Sequence, residues 1–210
     1  MKIKFNLNRD DLMETLRAWD IPQLNYALDN NVLAQDIVIP NNRDILLECI
    51  IRKSEPLFLR VLSVPFDFNK NKFLYLHHAV RNVIEKKEFI FIEKLLEVMD
   101  EENINKKDSH SDKTALHIAC ELNLQDSVLL LSQRGLSWKD GTLNKQTPLH
   151  LLLRKAPYIE SFLLDEIVKA NISQKDNMDI SCKDIIKSFS FDNDWSSIQE
   201  NQALIKKLKI

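Results

Sequence analysis

Five histidines and three cysteines are the residues of this chain best suited to hold a metal ion or do nucleophilic chemistry. The pair closest in sequence is His117 with Cys120 three residues on, since an imidazole beside a thiol can remove its proton and leave a thiolate. That chemistry also needs donors for an oxyanion and a third group to orient the base. No glycine-rich loop adjoins either residue, the only glycines being Gly135 and Gly141. Structural zinc asks for closely spaced ligand pairs, and neither a Cys-x-x-Cys nor a His-x-x-x-His pair occurs. Lys139-Asp140-Gly141 reads as turn chemistry rather than a phosphate loop. His77 and His78 are adjacent, so one ring must face away from the other, which makes that pair a candidate surface contact. No catalytic residue, metal ligand or cofactor is therefore expected, and no small-molecule substrate.

What the histidines do instead is read from their neighbours. Thr114-Ala115-Leu116-His117 and Thr147-Pro148-Leu149-His150 stand 33 residues apart. Threonine is a good helix N-cap, and proline at the next position fits a place whose N–H is unsatisfied anyway. Thr114 and Thr147 thus start helices. Leu116 and Leu149 fall on the packing face, and each histidine ring is placed to bond the capping threonine and the hairpin before it. Ala119 and Cys120 are small enough for closely approaching helices. A second helix over about Gln125–Arg134 carries Val128, Leu129 and Leu131 inward and stops at Gly135, which can take the left-handed conformation of a helix terminus.

A 33-residue period of a turn and two helices resembles that of the ankyrin-repeat family. Adding 33 again leads to Ile180-Ser181-Cys182-Lys183, a degenerate register read as a C-terminal cap. The resemblance implies an all-α fold, a solenoid of about five to six helix pairs with short hairpin loops. It implies one repeat domain over 1–210: a divergent capping repeat at 1–42, divergent repeats at 43–110 with an insertion near 82–89, well-matched repeats at 111–176, and a C-terminal capping repeat at 177–210. With so little glycine, asparagine at 30, 31, 103, 123 and 171 is expected to supply left-handed conformations.

In chain order, residues 2–7 read as an extended arm with Ile3, Phe5 and Leu7 on one side. Helices are expected over about Asp11–Trp19, capped by Asn8 or Asp10, and over Pro22–Asp29. Pro40-Asn41-Asn42 is a turn, after which Asp44 caps Ile45–Arg52 and another helix starts near Pro56. His77 and Ala79 match the motif, and a helix follows at about Phe91–Val98. The fifth repeat's second helix is expected to start near Pro157 or Tyr158 and run towards Lys169. Asp194 or Ser196 caps a last helix to about Leu208.

Forty-four per cent hydrophobic and 29 per cent charged residues describe an ordinary folded chain. A net charge of −2 gives no field to draw a nucleic-acid backbone. No run of about 20 apolar residues suggests membrane insertion, and three cysteines in helix cores suit a reducing compartment, so a cytoplasmic location is expected. The resemblance implies binding, with an adaptor or effector docking a protein partner through the concave face and hairpin tips. Residues matching the family's variable, solvent-facing places are Lys106, Lys107, His110, Glu121, Lys139, Asp140, Thr142, Asn144, Lys145, Arg154 and Lys155. Trp138, with Phe89 and Phe91, is an aromatic anchor candidate. The Lys/Asn/Ile-rich texture also resembles ankyrin proteins that intracellular bacteria deliver into a host cytosol. The alternative is a regulatory or targeting subunit of an enzyme, or a catalytic site in the N-terminal part.

Overall fold

A computed structural model describes residues 9–30, 32, 34–39, 43–70, 73–83, 85, 88–156, 158–190 and 198–209. The arm at 2–7, the caps Asn8, Asp194 and Ser196, the turn Pro40-Asn41-Asn42, Asn31, Pro157 and part of the 82–89 segment lie outside these. The chain is mostly helical and divides into two compact units, Met1–Asn103 and Ile104–Ile210.

The first unit contains α1 (Arg9–Ala18), α2 (Ile21–Asp29), α3 (Ile45–Ile51), α4 (Glu55–Leu62), α5 (Tyr75–Asn82) and α6 (Phe89–Val98). A short antiparallel ribbon, β1 (Val38–Ile39) with β2 (Arg43–Asp44), leads into α3 and sets Val38 opposite Asp44. Asp44 ends that ribbon with extended backbone, and its Oδ1 accepts the Leu47 N–H at 2.9 Å, so it is the expected helix cap. Helix α3 packs on α5, while α4 packs on α2 and on α6, giving two rows of helices. Between the rows lie Leu24, Leu46, Phe58, Val61, Tyr75 and Leu95, all fully buried. Phe91 is buried too, its ring centroid 4.7 Å from that of Phe58, so it begins the inward stripe of α6 and is not an exposed anchor; Phe89 is half-buried.

Helix α7 (Glu101–Ile104) crosses the boundary, and the second unit continues with α8 (Ala115–Glu121), α9 (Gln125–Gln133) and α10 (Pro148–Lys155). A 3-10 turn at Ser161–Leu163 runs into α11 (Leu164–Ile167), followed by α12 (Cys182–Ser190) and α13 (Gln199–Leu208). Helix α10 packs against both α8 and α12, and behind this row α9, the 3-10 turn, α11 and α13 make the second. Leu116, Leu131, Leu149, Leu163 and Leu204 are fully buried, each leucine worth roughly 1.5–3 kcal/mol of transfer free energy.

The turns inside three helix pairs share one geometry. Trp19, Lys53 and Asn123 are left-handed, with φ of 56°, 56° and 54°. The following amides of Asp20, Ser54 and Leu124 reach back to the carbonyls of Thr15, Cys49 and Ala119 at 3.1, 2.9 and 2.9 Å. This is the bond that ends a helix in a Schellman motif. Of the asparagines expected there, Asn123 alone fills the role among the described residues; elsewhere the fold forces Trp and Lys into it. Gly135 takes its expected left-handed conformation after α9, at φ 93°.

Two expectations are corrected. The fifth repeat's second helix does not begin near Tyr158, because the Ile159 N–H is held by Asn201 Oδ1 at 3.1 Å and the Glu160 N–H by Gln125 Oε1 at 2.8 Å. Those side chains fix an extended stretch, and helical turns start only at Ser161. The cap of α12 is Ser181, one residue beyond the 33-residue register. Ser181 Oγ accepts the Asp184 N–H at 3.2 Å, and Asp184 Oδ2 accepts from Ser181 N and Oγ at 2.9 and 2.6 Å, a complete capping box.

Candidate interaction surface

Helices α8 and α10 begin identically. Thr114 and Thr147 sit at the N-cap with extended backbone, and the third residue of each helix is a histidine that closes a capping box. His117 Nδ1 accepts the Thr114 N–H at 3.2 Å and lies 2.8 Å from its hydroxyl; His150 Nδ1 accepts the Thr147 N–H at 3.1 Å and lies 2.7 Å from its hydroxyl. With Nδ1 accepting, Nε2 carries the hydrogen, and it donates to the Asp140 carbonyl from His117 and to the Ile180 carbonyl from His150, each at 3.1 Å. Those carbonyls lie in the segment that follows each helix, not the one before it, so each imidazole ties its helix to the stretch leading into the next.

Both rings are fully buried. Burial lowers the His117 imidazole to about 4, against a smaller upward pull from the Asp140 carbonyl, and burial likewise lowers His150. Burial raises the Cys120 thiol well above its usual range and raises Cys182 to about 12. Among the described residues no group of three His, Cys, Asp or Glu gathers closely enough to hold a metal ion. No helix among them is long and apolar enough to cross a membrane.

Preceding the helices are three hairpins whose first residues, Asp108, Thr142 and Asp176, stand 34 apart. Each donates its N–H across its own turn, to the carbonyls of Lys113, Gln146 and Ile180 at 2.9, 3.0 and 2.9 Å, and each uses a side-chain oxygen to hold amides of the turn. Asp108 accepts from the amides of His110 and Ser111 at 2.9 and 2.8 Å and from the Ser111 hydroxyl. Burial pushes its carboxyl up, but these bonds outweigh it and hold the group at about 2. Asp176 Oδ1 takes the amides of Met178 and Ile180 at 2.9 and 3.1 Å, and Thr142 Oγ1 takes that of Gln146 at 3.2 Å. Successive hairpins join into a ladder, Leu143 N–H donating to Ser111 O and Asn177 N–H to Asn144 O, both at 3.0 Å.

This ladder sorts the expected contact residues. Lys107, His110, Lys139, Asn144, Lys145, Arg154 and Lys155 are exposed, and Lys106, Glu121 and Asp140 half-exposed. Many already have partners within the unit: Lys107 lies 3.7 Å from Asp140, Glu121 takes Lys113 at 2.7 Å, and Arg154 reaches Asp176 at 2.7 Å. Two placements are corrected. Trp138 is only 3 % exposed, its indole N–H donating to Ser132 Oγ at 2.7 Å, so the ring covers the hairpin base and is no surface anchor. Thr142 is buried because its hydroxyl braces the second hairpin. His77 is buried on the inner face of α5 and His78 half-buried, so the His77-His78 pair does not present two rings to solvent.

The sequence reading passed over Leu143 and Met178, which stand at the hairpin tips 63 % and 69 % exposed. Leu143 and Met178 stand 35 residues apart, one place off the 34-residue hairpin register, so that spacing does not pick them out; the signal is only that each is an apolar residue in an otherwise polar turn. No protein-family model matches the chain, and no curated protein matches it.

Proposed function

We propose that this chain is an ankyrin-like repeat protein that acts by binding, docking a protein partner through the hairpin ladder of residues 108–180. The observation that carries the reading is the ladder itself. Three hairpins cross-linked by backbone hydrogen bonds, each clamped by its own first side chain, hold exposed Asn144 and Lys145 at a tip, with exposed Lys107 and Lys139 just before the first and second hairpins. A rigid surface loses little conformational freedom on association, so more of its contact energy appears as affinity. The two Thr-x-Leu-His starts, 33 residues apart with matching capping boxes, support the family reading.

The test is affinity capture from a cytosolic lysate with the wild type and a Lys107→Ala/Lys139→Ala/Lys145→Ala variant shown to melt at the same temperature. Trp138 is left intact because it is core. A protein held by the wild type and released by the variant is expected. Equal retention by both would refute the ladder as the binding surface.

A further inference from the structure

The proposed surface carries a chemical bias that narrows its partner. Its carboxylates are mostly engaged by the protein itself. Asp108 and Asp176 are taken up by hairpin amides, Asp176 also by Arg154, Asp140 by Lys107, and Asp179 by Lys175 at 2.8 Å. Lys139 and Lys145 are exposed, and among the described residues neither has a carboxylate within ion-pair distance. The second hairpin folds back tightly, Gly141 lying so close under Lys145 that a Cβ there would meet the Lys145 Cα at 3.3 Å, and Lys139 stands two residues before that glycine. Beside them stand Leu143 and Met178, the most exposed large hydrophobic side chains among the described residues. Each is the chain neighbour of one member of a cross-hairpin pair, Asn177 binding Asn144 through both backbone and side chain at 3.0 and 3.2 Å, so the two belong to adjoining hairpin tips.

From this juxtaposition we infer that the second and third hairpin tips receive an acidic peptide segment with a bulky apolar side chain between its carboxylates. The inference rests on the binding reading above and specifies its partner. The apolar side chain covers Leu143 and Met178, which otherwise leave apolar surface in water. The flanking carboxylates pair with Lys139 and Lys145, which have no carboxylate partner among the described residues. Asp112, on the first hairpin, repels such a segment and confines it to the second and third tips.

Selection of short random peptides displayed on phage against the 210-residue chain tests this directly. The expected outcome is enrichment of Asp and Glu around one large apolar residue. Binding of the selected peptides should weaken by about ten-fold or more in Lys139→Ala/Lys145→Ala and, separately, in Leu143→Ser/Met178→Ser, and should fall with added salt. All four side chains are exposed, so the variants should melt as the wild type does. Peptides that need these tips but show no acidic enrichment would overturn the inference and leave the binding reading standing. Acidic peptides that bind both variants unchanged overturn it as well. If no peptide is enriched above an unrelated protein, the inference and the ladder reading fall together.

Discussion

Lowering the pH should unfold the second unit through its buried imidazoles before its carboxylates titrate. His117 has an ordinary reference value of 6.5 and a folded value of about 4, with burial as the leading cause. Above about pH 6.5 the ring is neutral whether the chain is folded or not, so its contribution is flat. Between about 6.5 and 4 the unfolded chain takes up a proton that the folded chain refuses, and stability falls as pH falls. One pKa unit is worth about 1.4 kcal/mol, so the full loss is about 3 kcal/mol from this ring. His150 is lowered in the same direction and adds to the slope. The Asp108 carboxyl, folded at about 2 against 3.8, loses its contribution only below that window. The assay is urea unfolding of the full chain across that range, alongside His117→Gln, whose amide can still accept the Thr114 N–H from the third helical position. The variant should be less stable at neutral pH by about 1 kcal/mol and should lose about 3 kcal/mol less than the wild type on acidification. An unchanged pH slope in His117→Gln, or an imidazole resonance of His117 titrating at or above 6.5, would refute the reasoning.

Other consequences are as direct. Leu149→Ala removes a fully buried side chain and should cost about 2–5 kcal/mol in a denaturant melt; no loss would mean the site is not packed. Ser127 is fully buried in α9 and its hydroxyl has no hydrogen-bond partner among the described residues, so Ser127→Ala should raise stability by about 1 kcal/mol, measured by thermal unfolding. At Gly135 an added Cβ meets nothing within 4 Å, yet φ is +93°. Gly135→Ala should therefore cost about 1 kcal/mol through backbone strain alone, and its crystal structure should show no repacking.

The starts of α8 and α10 were legible because Thr, Pro, Leu and His each have a local reason to occupy their positions. So were the Asp44 cap and the Gly135 stop. Legibility failed where one element is fixed by a distant one. Nothing near Tyr158 announces that Asn201 and Gln125 will take the amides of residues 159 and 160. The left-handed turns at Trp19 and Lys53 are imposed by packing of the helices on either side, against the residues' own preference. At the candidate surface, the match to the family's solvent-facing places offered Lys107, Arg154 and Lys139 as equals, whereas partners from other hairpins and helices separate them. Trp138 was placed outside because its position on a hairpin outweighed its type; its indole partner, Ser132, lies in the preceding helix.

The histidine capping boxes give the second unit a direction. His117 sits at the first turn of α8 but needs the Asp140 carbonyl, and His150 at the first turn of α10 needs that of Ile180. As the ribosome releases the chain from its N-terminus, each imidazole emerges before the carbonyl that completes its bonding. α8 thus reaches its final hydrogen bonding only after a further 23 residues have been made, and α10 after a further 30. Helix α12 breaks the sequence of debts, because Asp184 closes its box within four residues and asks nothing of later chain. Nascent chains halted just before Asp140 should therefore hold α8 less firmly than those halted just after it.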